Sequence, residues 1–127
     1  RPGSAHRRQT AARASGSCRD LAVLMIAALR MLGLAARYVS GYLLTTPSPG
    51  QQVMVGADAS HAWVAVYAPP FGWIELDPTN RCHVGTDHVA IAWGRDFGDV
   101  SPLRGVIIGG GRHELVVRVA VVPVTPS

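Results

Sequence analysis

Three residues of this 127-residue chain have types and surroundings suited to nucleophilic chemistry: Cys18 in Gly16-Ser-Cys-Arg-Asp20, His61 in Ser60-His-Ala-Trp63, and Asp77 in Leu76-Asp-Pro-Thr-Asn80. A thiol, an imidazole and a carboxylate supply a nucleophile, the base that takes its proton and the group that orients the base. Each alone has a plainer reading. Cys18 is then a core thiol, His61 a histidine packed at a sheet margin and Asp77 a turn carboxylate before proline. Local sequence signals that place all three together favour the chemical reading.

The first signal is at Cys18. Ser17, with Asp20 three residues on and an apolar run behind it, resembles a capping box with Asp in place of Glu, so a helix is expected over Cys18–Leu32. Gly33 suits the C′ position that ends it. Cys18 would then lie in the first turn, where unpaired N–H groups and the helix dipole favour thiolate and can hold an oxyanion. Arg19 helps thiolate formation and Asp20 opposes it. The helix is apolar nearly all round (Leu21, Val23, Leu24, Met25, Ile26, Leu29, Leu32), which predicts burial on most sides.

The second signal joins His61 to Asp77. Residues 37–44 read as a strand and 45–56 as a Pro/Gly/Gln loop, while 59–67 and 72–76 read as a hairpin around Ala68-Pro-Pro-Phe71. One parity alone gives a uniformly apolar face, with Ala62, Val64 and Val66 beside Ile74 and Leu76. It puts His61, Trp63, Ala65 and Tyr67 on the other face with Trp73, Glu75 and Asp77, so His61 and Asp77 are opposite or diagonal and within reach. Pro78 biases Asp77 to an extended conformation and ends the strand there. Further strands are expected over 89–93, 106–108 and 114–122. Gly109-Gly-Gly111 is read as a turn, since it lacks the spacing of a phosphate-binding loop.

Composition bounds the setting. With 48% hydrophobic and 16% charged residues the chain can build one packed core. Its +4 charge comes from arginine alone, scattered except for Arg1, Arg7, Arg8 and Arg13, and this is a poor footprint for nucleic acid. Two cysteines, Cys18 and Cys82, do not make a disulfide framework, although a single bridge is open. The apolar run Leu21–Leu29 stops at Arg30, short of the roughly 20 residues of a membrane span, and no secretory signal precedes it, so no membrane partner and a cytoplasmic location are expected. Residues 1–15 read as a linker or truncated N-terminal segment and 16–127 as the catalytic domain. Cys82, His83, Asp87 and His88 match no zinc spacing, so neither metal nor cofactor is expected. His88 and His113 are read as packing near the cleft, and Trp63 and Trp73 as cleft walls or core.

The stretches Gly16-Ser-Cys-Arg-Asp-Leu-Ala22, Leu34–Leu43, His61-Ala-Trp-Val-Ala-Val-Tyr67, Gly72-Trp-Ile-Glu-Leu-Asp-Pro-Thr-Asn80 and Gly94–Gly105 resemble, in order, the bacterial branch of the transglutaminase-like superfamily. Ser17 and Leu21 stand where the family commonly has a larger aliphatic and an aromatic residue. The resemblance implies an α+β, papain-like core in which an N-terminal catalytic helix packs on an antiparallel sheet. It also implies Cys18 as nucleophile, His61 as general base, Asp77 as orienting group, a peptide or protein substrate, and either hydrolysis, slightly favoured, or transamidation. A catalytically silent fold that binds a peptide is the alternative.

Overall fold

The computed structural model describes residues 4–45, 50, 54, 60–101, 105–106, 108–112 and 119–124, of which 4–17 are described as backbone only. A long helix, α1 (Ser4–Met31), leads into strands β1 (Ala36–Leu43), β2 (His61–Ala68), β3 (Gly72–Asp77), β4 (Cys82–His83) and β5 (His88–Gly94), followed by a single turn of helix, α2 (Phe97–Val100). The strands form one sheet in the order β4-β3-β2-β1-β5 with every neighbouring pair antiparallel. With α1 packed on that sheet the architecture is α+β, as expected.

The helix departs from expectation at its start. Residues 4–15 are rich in Ala and Arg, both strong helix formers, with no proline among them, and Gly16 costs only about 1 kcal/mol in a helix interior. The helix therefore begins at Ser4 and runs through Ser17 without a cap there. Its other end is as expected. Leu34 N–H bonds Leu29 C=O and Gly33 N–H bonds Arg30 C=O, with Gly33 at φ 82°, a Schellman closure that only glycine enters without strain.

Burial along α1 also differs from the sequence reading. Cys18, Ala22 and Ile26, spaced at i, i+4 and i+8, form a buried stripe with Met25 and Leu29 half-buried beside it. The stripe packs on Ala36 and Tyr38 of β1, Ala62 and Val64 of β2, and Val100. Leu21, Leu24, Met31 and Leu32 face outward, so α1 is buried on one side, not most sides. All-round apolarity sets which faces can be buried, not how many neighbours arrive to bury them.

The hairpin has the expected parity. Val64 pairs with Leu76, Ala65 with Glu75, Val66 with Ile74 and Tyr67 with Trp73, and the Phe71 N–H bonds the Ala68 carbonyl across the turn. The even-numbered face meets α1. On the other face Trp63, Val39 and Ala65 are buried against Val84, and the indole N–H of Trp63 donates to Glu75 at 3.0 Å. β1 slips by one residue between Ser40 and Gly41, and there β1, β5 and Trp63 crowd together. A Cβ at Gly41 would run into the Val89 carbonyl and the Trp63 ring, so close approach demands glycine.

The expected strand over 89–93 is β5. Val106 and Ile108 lie in no strand and are solvent-exposed. Of the expected strand 114–122, residues 114–118 and His113 are outside the described residues, and 119–122 are not in a strand. The described part of this stretch meets β1's end through Thr45, which donates to the Val121 carbonyl from both its N–H (3.0 Å) and its hydroxyl (2.8 Å). Among the described residues no helix is long and apolar enough to cross a membrane.

Candidate active site

His61 opens β2 and Asp77 closes β3. Continuing the hairpin pairing by one residue sets Trp63 opposite Asp77 and leaves His61 on the diagonal, on the same face. The contact is direct: His61 Nε2 lies 2.9 Å from Asp77 Oδ2, with both side chains sealed from solvent.

Asp77 is held from every side. Its Oδ1 accepts the backbone N–H groups of Thr79 and Asn80, each at 3.1 Å, in an Asx turn that Asp-Pro-Thr-Asn is suited to make. Its Oδ2 accepts from Asn80 Nδ2 at 2.8 Å, from His61 Nε2 at 2.9 Å and from His88 Nε2 at 2.9 Å. Burial alone would push this carboxyl up, but bonds from His61, His88 and Asn80 outweigh it and hold the group far below the usual carboxylate range. Asp77 is an anion.

An ionised carboxylate has no proton to give, so His61 Nε2 must be the donor and, in the neutral ring, Nδ1 carries the lone pair. That Nδ1 is buried with no recorded hydrogen-bond partner among the described residues, and the Cys18 thiol lies near enough to the ring to favour its charged form. Burial opposes a charge on His61, while bonds and charge from Asp77 and Cys18 favour it and raise its pKa from 6.5 to about 9. The structure thus brings together Cys18 (3% exposed), His61 (2%) and Asp77 (1%) from α1, β2 and β3.

Cys18 itself is not where the capping signal put it. Being inside α1, it has neighbouring N–H groups committed to carbonyls four residues back, so its own helix presents no terminus to the thiol. Its surroundings are instead His61 and Tyr38, whose hydroxyl is pushed up to about 12 by burial and by Cys18 and is lowered by Arg19. Arg19 stacks on Phe97 at 4.6 Å, and Phe97 meets Tyr38 edge-on.

Two partners of Asp77 escaped the sequence reading. Asn80 was signalled by the Asx-turn motif. His88, read as packing near the cleft, instead bonds Asp77, and no local pattern announces a contact made through the β1–β5 pairing. Of the residues weighed for a metal, only Cys82 and His88 come together, joined by Asp77 within 4.8 Å, while His83 and Asp87 are not part of that group. No disulfide joins Cys18 to Cys82. A cavity of about 230 Å³ is bounded by Ser40, Ser60, Asp99 and Val100, and a second of about 240 Å³ is bounded by Met25, Asp77, Arg81 and Cys82.

Comparison with known proteins bears on the family to which the chain belongs. An uncharacterized protein of Mycobacterium tuberculosis is 49% identical over 113 residues, covering 85% of this chain and 36% of its own length. One of Mycobacterium leprae is 38% identical over 109 residues, covering 84% and 37%. This chain therefore spans little more than a third of those relatives. A protein-glutamine gamma-glutamyltransferase of Pseudomonas aeruginosa is 39% identical over 66 residues, covering 51% of this chain and 10% of that enzyme. No solved structure matches. The model of the transglutaminase-like superfamily matches residues 1–78, a stretch that takes in Cys18, His61 and Asp77, and on that match the chain belongs to the superfamily.

Proposed function

We propose that the chain carries out thiol-dependent acyl transfer on peptide or glutamine-type amide bonds, with Cys18 as nucleophile, His61 as base and acid, and Asp77 as the group that orients His61. The observation that carries this is the 2.9 Å contact between His61 Nε2 and Asp77 Oδ2: an ionised Asp77 draws the ring proton to Nε2, which leaves Nδ1 as the ring nitrogen able to take the thiol proton. Cys18 Sγ gives that proton to Nδ1 and attacks the amide carbonyl carbon. The tetrahedral intermediate collapses as the C–N bond breaks, and His61 returns the proton to the departing amine. A thioester remains on Cys18. Water, deprotonated by neutral His61, then releases a carboxylic acid and restores the thiol.

A second fate is favoured by the Pseudomonas relative, whose name is that of a transamidating enzyme. There an amine in place of water would form a new amide from the same thioester. The substrate class is a peptide or protein in either case. Hydrolysis is the reading kept here, since no described feature marks an amine-acceptor site.

The test needs no known substrate. Iodoacetamide alkylation of Cys18 at neutral pH, followed on its own peptide by mass spectrometry, is expected to slow at least tenfold in His61→Ala, at the low end of what a positioned base contributes. An unchanged rate would overturn the reading and leave a peptide-binding module.

A further inference from the structure

Asp77 touches two imidazoles, and the acyl-transfer scheme uses only one. His88 Nε2 lies on the same Oδ2 atom as His61 Nε2, at the same 2.9 Å, with its side chain nearly sealed from solvent. The Trp63 ring meets His88 edge-on at 5.1 Å between centroids, which fixes the plane of the imidazole. The other ring nitrogen is settled as well, because the Gly85 N–H donates to His88 Nδ1 at 3.3 Å. With Nδ1 an acceptor and Asp77 unable to donate, these contacts assign the His88 donor proton to Nε2.

This geometry disfavours a metal. Asp77, Cys82 and His88 lie within 4.8 Å of one another, a donor set that zinc could accept. Yet both His88 nitrogens are engaged, one as donor and one as acceptor, so the ring as placed offers no free lone pair.

We propose that His88 is a positioning residue of the acyl-transfer site: it donates a hydrogen bond to the Asp77 oxygen that His61 uses, shares the carboxylate's charge, and so restrains how strongly Asp77 favours the imidazolium form of His61. The direction follows from electrostatics. The positive end of the His88 N–H dipole lies against Oδ2 and close to the His61 ring, 6.4 Å away between centroids, where it opposes a positive charge on His61. Asp77 would keep its place without His88, because Thr79, Asn80 and His61 supply its other donors. What His88 adds is a limit on basicity. His61 must be neutral to activate the water that resolves the thioester, so a histidine held too firmly protonated would stall at the acyl-enzyme.

The titratable groups around His61 are Cys18 from α1, Tyr38 of β1 through Cys18, Asp77 of β3, Cys82 beside Asp77 in β4, and His88 of β5. The proposal rests on His61 as the base, but its test is independent of turnover. The protein and two variants, His88→Leu and His88→Gln, are titrated by nitrogen-15 NMR of the histidine rings. In the unaltered protein, His88 is expected as the Nε2–H tautomer with a downfield Nε2 proton alongside that of His61. In His88→Leu the midpoint of His61 should move upward from about 9, and in His88→Gln, whose amide N–H can reach Oδ2, it should return most of the way. An unchanged or lowered midpoint in His88→Leu, or a His88→Gln no better than His88→Leu, would overturn the proposal. So would an Nδ1–H tautomer in the unaltered protein, which stands as the deciding measurement if His88→Leu fails to fold, or tight Zn²⁺ binding that the loss of His88 abolishes. If instead His61→Ala leaves Cys18 alkylation unchanged while His61 responds to His88 as described, the acyl-transfer reading fails and the charge-sharing survives.

Discussion

The two halves of the site are built by opposite means. The imidazole–carboxylate half sits on the β2–β3 hairpin, with the Asp77 carboxylate held by five hydrogen bonds. The thiol half sits on α1, held by one apolar stripe while the far side of the same helix faces outward. Directional bonds fix the orientation of a ring and a carboxylate to fractions of an ångström. Packing fixes the depth of a thiol, but it tolerates small rotations of the helix that carries it. Precision is thus concentrated at the imidazole–carboxylate pair, where the proposed chemistry would need it.

Breaking the hydrogen-bonded half should cost most. Asp77→Ala leaves buried donors from His61, His88, Thr79 and Asn80 unpaired, and a loss of about 3–5 kcal/mol is expected from urea unfolding, the scale for removing one partner of a buried ionic pair. Next comes the packed half. Ile26→Ala on the buried stripe should cost about 2–5 kcal/mol, whereas Leu24→Ala, at a residue 67% exposed, should stay within about 0.5 kcal/mol. Equal effects at the two positions would mean that the outward face of α1 is covered in solution.

A last test sharpens the comparison through pH. The folded-state pKa of His61 is raised, so its stabilising contribution is complete below its ordinary value of 6.5 and is lost as pH rises through about 9. A thermal-unfolding series should show a decline across that window, and the decline should be absent in His61→Ala.

The hairpin was legible because a period of two admits only two registers, and one of them buries Glu75 and His61 against α1 while exposing Val64. The end of α1 was legible from Gly33. Its beginning was not, because the serine cap was given more weight than the helix-forming composition of residues 4–15, and so the expected helix-terminal field at Cys18 is absent. The outward face of α1, the exposure of Val106 and Ile108 and the bond from His88 to Asp77 all depend on which neighbour arrives. Local pattern carries no such information.

The short connection between β2 and β3 has a consequence for the order in which the site is assembled. Residues 61 and 77 are joined through a three-residue turn, so their pairing closes a small loop, whereas Cys18 must find His61 across 42 intervening residues. Local contacts form ahead of distant ones because they lose less chain entropy. A chain in the course of folding is therefore expected to hold its imidazole–carboxylate pair before Cys18 docks, so the thiol meets His61 only once α1 has settled on the sheet.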